Sequence, residues 1–271
     1  MIISDKKLSQ KLERTEARSN AAFVETRARL SPESGAAWIE VGGAYAMFDG
    51  VESPLTQTFG LGMFDEITDA EMKKIEAFFN KFDAPVFHEV SPLADTSIMP
   101  LLNERGYQPV ELTSVMYREL DSANLNQPAA NPRILTRIIA EDEVDLWART
   151  SADGWASEME GMTDFMLEFS SIGAQCAGAF PFIAEVDGIA ISTGALLIYD
   201  DICILAGAST IPEGRNNGAQ TALLDVRLKF AREKGCTLAI MGALPGSQSQ
   251  KNGQKNGFNI AYTRTKWQLK Q

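Results

Sequence analysis

The chain has 271 residues, 45% hydrophobic and 23% charged, a globular composition with length enough for two domains. Thirty-six acids against twenty-five bases give −11, which argues against a general polyanion binder, so nucleic acid is not an expected partner. A single histidine, His88, excludes a His-rich metal site and a duplicated Ser-His-Asp hydrolase, and no metal is expected.

The first twenty residues lack an apolar signal core, and no apolar stretch approaches the ~20 residues that span a bilayer. Three cysteines without metal-ligand spacing leave an odd thiol, which fits a reducing cytoplasm. The expected protein is therefore cytoplasmic and not membrane-bound.

The first thirty residues read as a helix, with Leu8, Leu12, Ala22, Phe23 and Leu30 set among charges and no proline before Pro32. Strand-like runs follow at AAWIEVGGAYAMF and QTFGLGMF. Residues 68–82 carry Ile75, Phe78, Phe79 and Phe82 on one helical face, with Asp69 and Glu71 at the N-terminal end. PVFHEVSP is a short buried-type strand containing His88, which reads as structural. A short helix over 92–105 closes at Gly106, and ELTSVMYREL alternates as a strand should. The polar stretch 121–132, ending in Asn-Pro, is the best linker, giving expected domains 1–125 and 126–271.

In the second half, residues 141–169 carry helix signals around an expected turn at Asp153-Gly154. Asp187-Gly188 between apolar runs predicts a tight hairpin. A strand over 202–211, a helix over 218–234, a strand over 237–244, a short helix over 247–256 and a last strand over 261–269 complete the chain. Cys203 and Cys236 sit in apolar context and read as buried thiols.

Both halves end in the same series: strand, helix, strand, helix, a Gly-aromatic pair (Gly106-Tyr107 and Gly257-Phe258) and a strand. Matching order and length favour an internal duplication. The intervening helices imply a mixed, partly parallel sheet in each half.

The two copies differ at the turn between their first strand and helix. In the first it reads Asp65-Glu66-Ile67-Thr68-Asp69, whose carboxylates repel a phosphate. In the second it reads Pro212-Glu213-Gly214-Arg215-Asn216-Asn217-Gly218-Ala219-Gln220-Thr221. A loop rich in Gly and Asn can turn several N–H groups inward, and the following helix adds its unpaired N–H groups and positive end. Such a turn suits a pyrophosphate, with Arg215 adding charge. Taken alone, the same residues also read as a plain loop and helix cap.

Charge divides along the second half. From Glu141 to Asp201 there are thirteen acids and one base, net −12; from Glu213 to Gln271 there are three acids and ten bases, net +7. Two readings fit: differently solvated faces, or a site with an anionic ligand on one side and a cationic one on the other.

With Arg215-x-x-Gly218 at a strand-to-helix turn, the segment IPEGRNNGAQTALLDVRLKFAREKGC and the tail PGSQSQKNGQKNGFNIAYTRTKWQL, the chain resembles the GCN5-related N-acetyltransferase superfamily. The resemblance is good over 133–271 and weaker over the first half, which looks like a degenerate copy. It implies two tandem α/β domains of this kind. It also implies acetyl-CoA as co-substrate and a primary amine, small molecule or peptide, as acceptor.

Carried over residue by residue, it assigns the cofactor to Ser209, Thr210 and Ile211 on the strand and to Arg215, Asn216, Asn217, Gly218, Ala219, Gln220 and Thr221 at the turn. Asn252 is added on the last short helix. The sequence departs from the family at Gln220, where Gly or Ala is usual, and at Gly253, where many members carry an acid tyrosine. Ser249 and Glu158 are the remaining catalytic candidates. Trp155, Glu158 and Asp200 fall where the resemblance puts the acceptor, inside the −12 segment, so a cationic amine is expected. Trp155 also reads as a core tryptophan, and Ser249 and Asn252 as helix-surface polars. The alternative function is an acyl-CoA-binding protein without turnover. Monomer and homodimer both fit.

Overall fold

The computed structural model describes residues 4–121, 131–156 and 161–270. It divides into two compact units: residues 1–118 with 240–271, and residues 119–239.

The first unit begins with α1 (Lys6–Leu30), started by Asp5, whose carboxylate accepts from Leu8 N–H at 2.8 Å. Ala17, Ala21 and Val24 on this helix pack against Tyr45, Met47 and Phe59. The strands are β1 (Ala37–Val41), β2 (Ala44–Phe48), β3 (Gln57–Phe59), β4 (Phe87–Val90), β5 (Tyr107–Glu119) and β11 (Asn259–Leu269), in spatial order β1-β2-β3-β4-β11-β5. β3 and β4 are parallel; β11 is antiparallel to both β4 and β5. Between β3 and β4 runs α2 (Asp69–Asn80), and α3 (Ile98–Glu104) precedes β5. Met72, Ile75 and Phe79 of α2 join Val86, Val90, Leu102 and Trp267 in the main core of this unit.

The second unit holds β6 (Ile134–Ile138), β7 (Ala179–Val186), β8 (Ile189–Tyr199) and β9 (Ile202–Thr210), each antiparallel to the next. It also holds α4 (Val144–Ala156), α5 (Thr163–Ala174) and α6 (Ala219–Glu233). β10 (Leu238–Ala243) gives residues to both units, and α7 (Gln248–Lys255) belongs to the first. The β7–β8 hairpin turns at Asp187 (φ +53°) and Gly188 (φ +80°), the left-handed pair that Asp-Gly predicts.

The repeated series is present as β3, α2, β4, α3, β5 and as β9, α6, β10, α7, β11, with Gly106 (φ +82°) and Gly257 (φ +80°) at matching places. The fold class is the expected mixed α/β one with helices flanking a partly parallel sheet. The compact units nevertheless do not divide at residue 125. Ile240–Gln271 joins the first unit because β11 lies between β4 and β5, pairing Trp267 with His88 and Arg264 with Thr113. The expected turn at Asp153-Gly154 is absent too: α4 runs through both residues to Ala156.

β11 also brings a buried charge cluster together on one face of this unit. Arg264, 3% exposed, reaches Glu16 with two nitrogens at 2.6 and 2.7 Å, lies 3.4 Å from Glu13 and 3.0 Å from Glu89. Tyr262 donates to Glu13 at 2.7 Å, and Lys266 lies 3.7 Å from Glu89. Burial, opposed by Arg264, pushes the Glu13 carboxyl up to about 7. On the opposite face His88 is fully buried against the Tyr107 ring, and burial pushes it down to about 3.

The two groups limit stability from opposite sides. Glu13 contributes stability that is complete below its unfolded value of 4.5 and is lost as pH rises through about 7. His88 contributes stability that is complete above 6.5 and is lost as pH falls toward 3. Urea unfolding midpoints are therefore predicted to peak between these limits, near pH 5.5 to 6 (roughly, from the two references). Glu13→Gln should keep the acceptor for Tyr262 and flatten the decline between pH 6 and 8; an unchanged slope would contradict this assignment.

Candidate functional site

β9 is interrupted by a bulge. Thr193 of β8 pairs with Ser209 and Ala195 with Ala206, so three residues of β9 advance where β8 advances two. Gly207 takes the left-handed conformation (φ +59°), and a Cβ there would come within 3.2 Å of the Trp147 ring. Trp147 is itself fixed by its indole N–H donating to the Phe182 carbonyl at 2.8 Å. Ala206, Gly207 and Ala208 are exposed in mid-strand, a stretch of small side chains with accessible backbone.

Past β9 the chain makes the turn 211–218. Gly214 is buried against β8, where a Cβ would meet Ile191 at 2.8 Å. Asn216 (φ +62°) and Gly218 (φ +87°) are left-handed, and Gly218 is the N-cap of α6 with open space where a Cβ would stand. α6 has no side-chain cap bond and no acid in its first turn. Its first N–H groups therefore lack partners from the helix itself.

The matching position in the first unit is closed. Thr68 and Glu71 form a reciprocal capping box at the start of α2, and Asp69 adds a carboxylate there. The contrast between the two turns is thus one of geometry as well as sequence.

The second unit brings together Ser209, Thr210, Ile211, Arg215, Asn216, Asn217, Gly218, Ala219, Gln220 and Thr221 around this turn. Their side chains do different things. Ser209 is buried, its hydroxyl bonded to Thr193 at 3.0 Å and to the Ser151 carbonyl at 3.1 Å. Ile211 N–H donates back to the Ile191 carbonyl. Arg215 donates through Nε to the Thr210 carbonyl at 3.4 Å and through Nη2 to the Gly154 carbonyl at 3.2 Å. It ties the end of β9 to the end of α4. The Asn217 amide caps Gly214 and Arg215 carbonyls.

Gln220 explains its own departure from the family pattern. Its amide nitrogen lies 2.7 Å from the Ser209 carbonyl and 2.8 Å from the Ser192 hydroxyl, with Thr193 O and Thr210 Oγ1 each at 3.2 Å. It is a clasp between α6, β8 and β9. Its side chain faces the sheet, which leaves its backbone N–H as the group available at the start of α6.

Gly154 is a packing glycine and not a turn glycine. A Cβ there would meet the Ser209 hydroxyl at 2.6 Å and the Thr210 nitrogen at 2.9 Å, so its absence lets α4 approach β9. Trp155 is half-buried at the end of α4. Asp200 is exposed at the β8–β9 turn (φ +50°), at the opposite end of β9 from residue 211, and β9 itself spans about 26 Å at the usual strand rise. Glu158 lies outside the described residues.

Ser249 and Asn252 are exposed on α7, in the first unit, with Asn252 accepting from Gln248 at 2.8 Å. Gly253 of the same helix is buried, and a Cβ there would lie 3.1 Å from both Met116 and Met241. The place of the family tyrosine is filled by packing.

Charge is more dispersed than the segment sums suggest. Arg264 and Lys266 of the +7 segment belong to the first unit's cluster, and Arg227 is buried. In the −12 segment, Glu143 and Glu185 both pair with Arg137, while Glu141, Asp142, Asp145 and Asp153 are exposed. Among the described residues no group of His, Cys, Asp and Glu is arranged to hold a metal, and no helix is long and apolar enough to cross a membrane.

No protein-family model matches the chain, and neither does any curated protein. Solved structures do. A GCN5-related N-acetyltransferase from Kribbella flavida superposes with TM-score 0.64 at 18% identity over 93% of this chain and 96% of its own. A tandem GNAT protein from the clavulanic acid biosynthesis pathway gives 0.58 at 12% identity over 92% and 88%. A GCN5-related N-acetyltransferase from Sphaerobacter thermophilus gives 0.55 at 15% identity over 84% and 77%. The chain has the GNAT fold.

Gln220→Ala is predicted to lower unfolding stability by about 1–3 kcal/mol, because buried acceptors of β8 and β9 lose their donor. Urea denaturation checks this; a change within error would show that the clasp is not needed.

Proposed function

We propose that the chain is an N-acetyltransferase taking acetyl-CoA as donor and a primary, cationic amine as acceptor, in a ternary complex. The observation that carries the reading is the glycine-capped, acid-free N-terminus of α6 following the exposed bulge of β9. The likeness in fold to N-acetyltransferases adds support.

The residues fit the donor. The first N–H groups of α6 (Ala219, Gln220, Thr221) and the open turn at Asn216–Gly218 would hold the pyrophosphate, where helix-end polarity favours an anion. The small, exposed Ala206–Ala208 stretch would lie along the pantetheine arm. In the reaction the ammonium first gives one proton to a base, the neutral nitrogen bonds to the acetyl carbon, the carbon–sulfur bond breaks, and the leaving thiolate takes up the second proton from nitrogen as the thiol. Backbone N–H groups at the bulge would stabilise the developing oxyanion.

The acceptor reading rests on exposed acids of the second unit. Trp155 and Glu158 are its proposed contacts, with Glu158 as the proposed base; Asp200, at the far end of β9 from Gly154 and Thr210, is not carried into this site. Ser249 and Asn252 belong to the first unit and are not part of the site proposed at α6. The two repeats are proposed as tandem copies, the first closed to phosphate by Thr68, Asp69 and Glu71. One observation favours a binding protein without turnover: Gly253 carries no acid side chain, and Met116 and Met241 crowd the place where a Cβ would stand.

Thiol release from acetyl-CoA over a panel of amines separates these readings. Amine-dependent release, greatest with cationic acceptors, is predicted; binding of acetyl-CoA with no release above hydrolysis would favour the silent protein. Glu158→Gln should raise the acceptor KM several-fold, about 1 kcal/mol for the lost charge contact, with the acetyl-CoA KM unchanged. Equal changes in both KM values would remove the acceptor assignment.

A further inference from the structure

α6 carries a second inward polar residue two turns after Gln220. Arg227 lies on the buried stripe Ala219, Leu223, Arg227, Ala231 and is 3% exposed. Its Nε donates to the Leu223 carbonyl at 3.0 Å. Its Nη1 donates to the Ala195 carbonyl at 3.0 Å and lies 3.5 Å from the Ala206 carbonyl. Those last two residues are the register pair that borders the bulge. Room for the guanidinium comes from Gly194, where a Cβ would stand 2.6 Å from the Arg227 Cζ.

A buried arginine is costly unless its donors are satisfied, and here the named partners are main-chain carbonyls. A solvated lysine or an apolar residue would fill the helix face more cheaply. The cation is placed under the one irregular segment of β9. Burial lowers Arg227 to about 10, so it stays charged at neutral pH.

We infer that Arg227 is a positioning residue for acyl transfer: it fixes the Gly207 bulge and, by its charge, strengthens the bulge N–H groups as oxyanion donors. The inference rests on the acetyltransferase reading above. Its physical basis is the planar trans peptide. The carbonyl of Ala206 and the N–H of Gly207 point in opposite directions, and no cis bond intervenes. A guanidinium on the carbonyl side pulls electron density from the amide and makes its N–H a better donor on the other, exposed side. A fixed charge beneath the bulge also favours negative charge developing above it, and it costs no reorganisation during the reaction.

The pyrophosphate contacts belong to the first turn of α6, two turns away. Loss of Arg227 should therefore act on turnover more than on donor binding. The test measures kcat by thiol release and acetyl-CoA Kd by calorimetry for wild type, Arg227→Met and Arg227→Lys, with circular dichroism melting as the folding control. Expected are a kcat lowered about 10²-fold in Arg227→Met, the size of a lost oxyanion donor, a Kd within threefold, and partial recovery of kcat in Arg227→Lys.

An unchanged kcat in folded Arg227→Met would overturn the inference, as would kcat and affinity falling together. If Arg227→Met does not fold, Arg227→Lys decides: lowered kcat at constant Kd supports the role, and wild-type kcat overturns it. A wild type with no amine-dependent release would overturn the acetyltransferase reading itself and the inference with it. An active wild type insensitive to Arg227 overturns the inference alone.

Discussion

A helix can offer its N-terminus to a ligand only if its own chain leaves that end uncapped, and only if the helix is held firmly by other means. α6 meets both conditions. Its cap is Gly218, whose missing side chain leaves the first N–H groups open, and its first turn carries no acid to compete for them. α2, at the same place in the other repeat, spends those groups on Thr68 and Glu71. The two helices have the same neighbours in sequence order and opposite aptitude for an anion.

What a helix loses in capping must be supplied by packing. α6 recovers it through its inward face, where Gln220 reaches Ser209 and Ser192 and Arg227 reaches Ala195 and Ala206. These two residues, seven apart, bracket the bulge of β9 from below. Glycines accept the close approaches: Gly194 under the guanidinium, Gly154 against Ser209, Gly214 against Ile191. A strand that is irregular and exposed at Ala206–Ala208 is thereby rigid, because its carbonyls are held from the side away from solvent. The same polar groups would be a liability if left unpaired in a low-dielectric interior.

Local features of the fold were legible in the sequence. Asp187-Gly188 demands left-handed residues and has them, and the strand-helix order of both repeats follows from periodicity and glycine stops. The open turn at Asn216–Gly218 was legible for the same reason, since Gly and Asn are the residues that tolerate its conformation. Features set by distant contacts were not. Gly154 reads as a turn because a glycine needed for helix-to-strand approach looks the same in one dimension. The seating of β11 between β4 and β5 brings Glu13, Glu16 and Glu89 to Arg264, residues up to 251 positions apart. The motif shows the place of Gln220 at the start of α6 but not that its side-chain amide bonds Ser209 and Ser192 across the sheet. Arg227 did leave a sign: a charge on a stripe otherwise made of Ala and Leu.

The open end of α6 is the proposed seat of the pyrophosphate of acetyl-CoA. Calorimetric titration of acetyl-CoA into wild type and Gly218→Glu tests it most directly. Gly218 faces open space, so the carboxylate enters the place proposed for phosphate, with the left-handed cap (φ +87°) as the only added strain. Melting of both proteins controls for that strain. Saturable binding to the wild type, abolished in a folded Gly218→Glu, is the predicted result. Binding of equal affinity to both proteins, or none to the wild type, would contradict it.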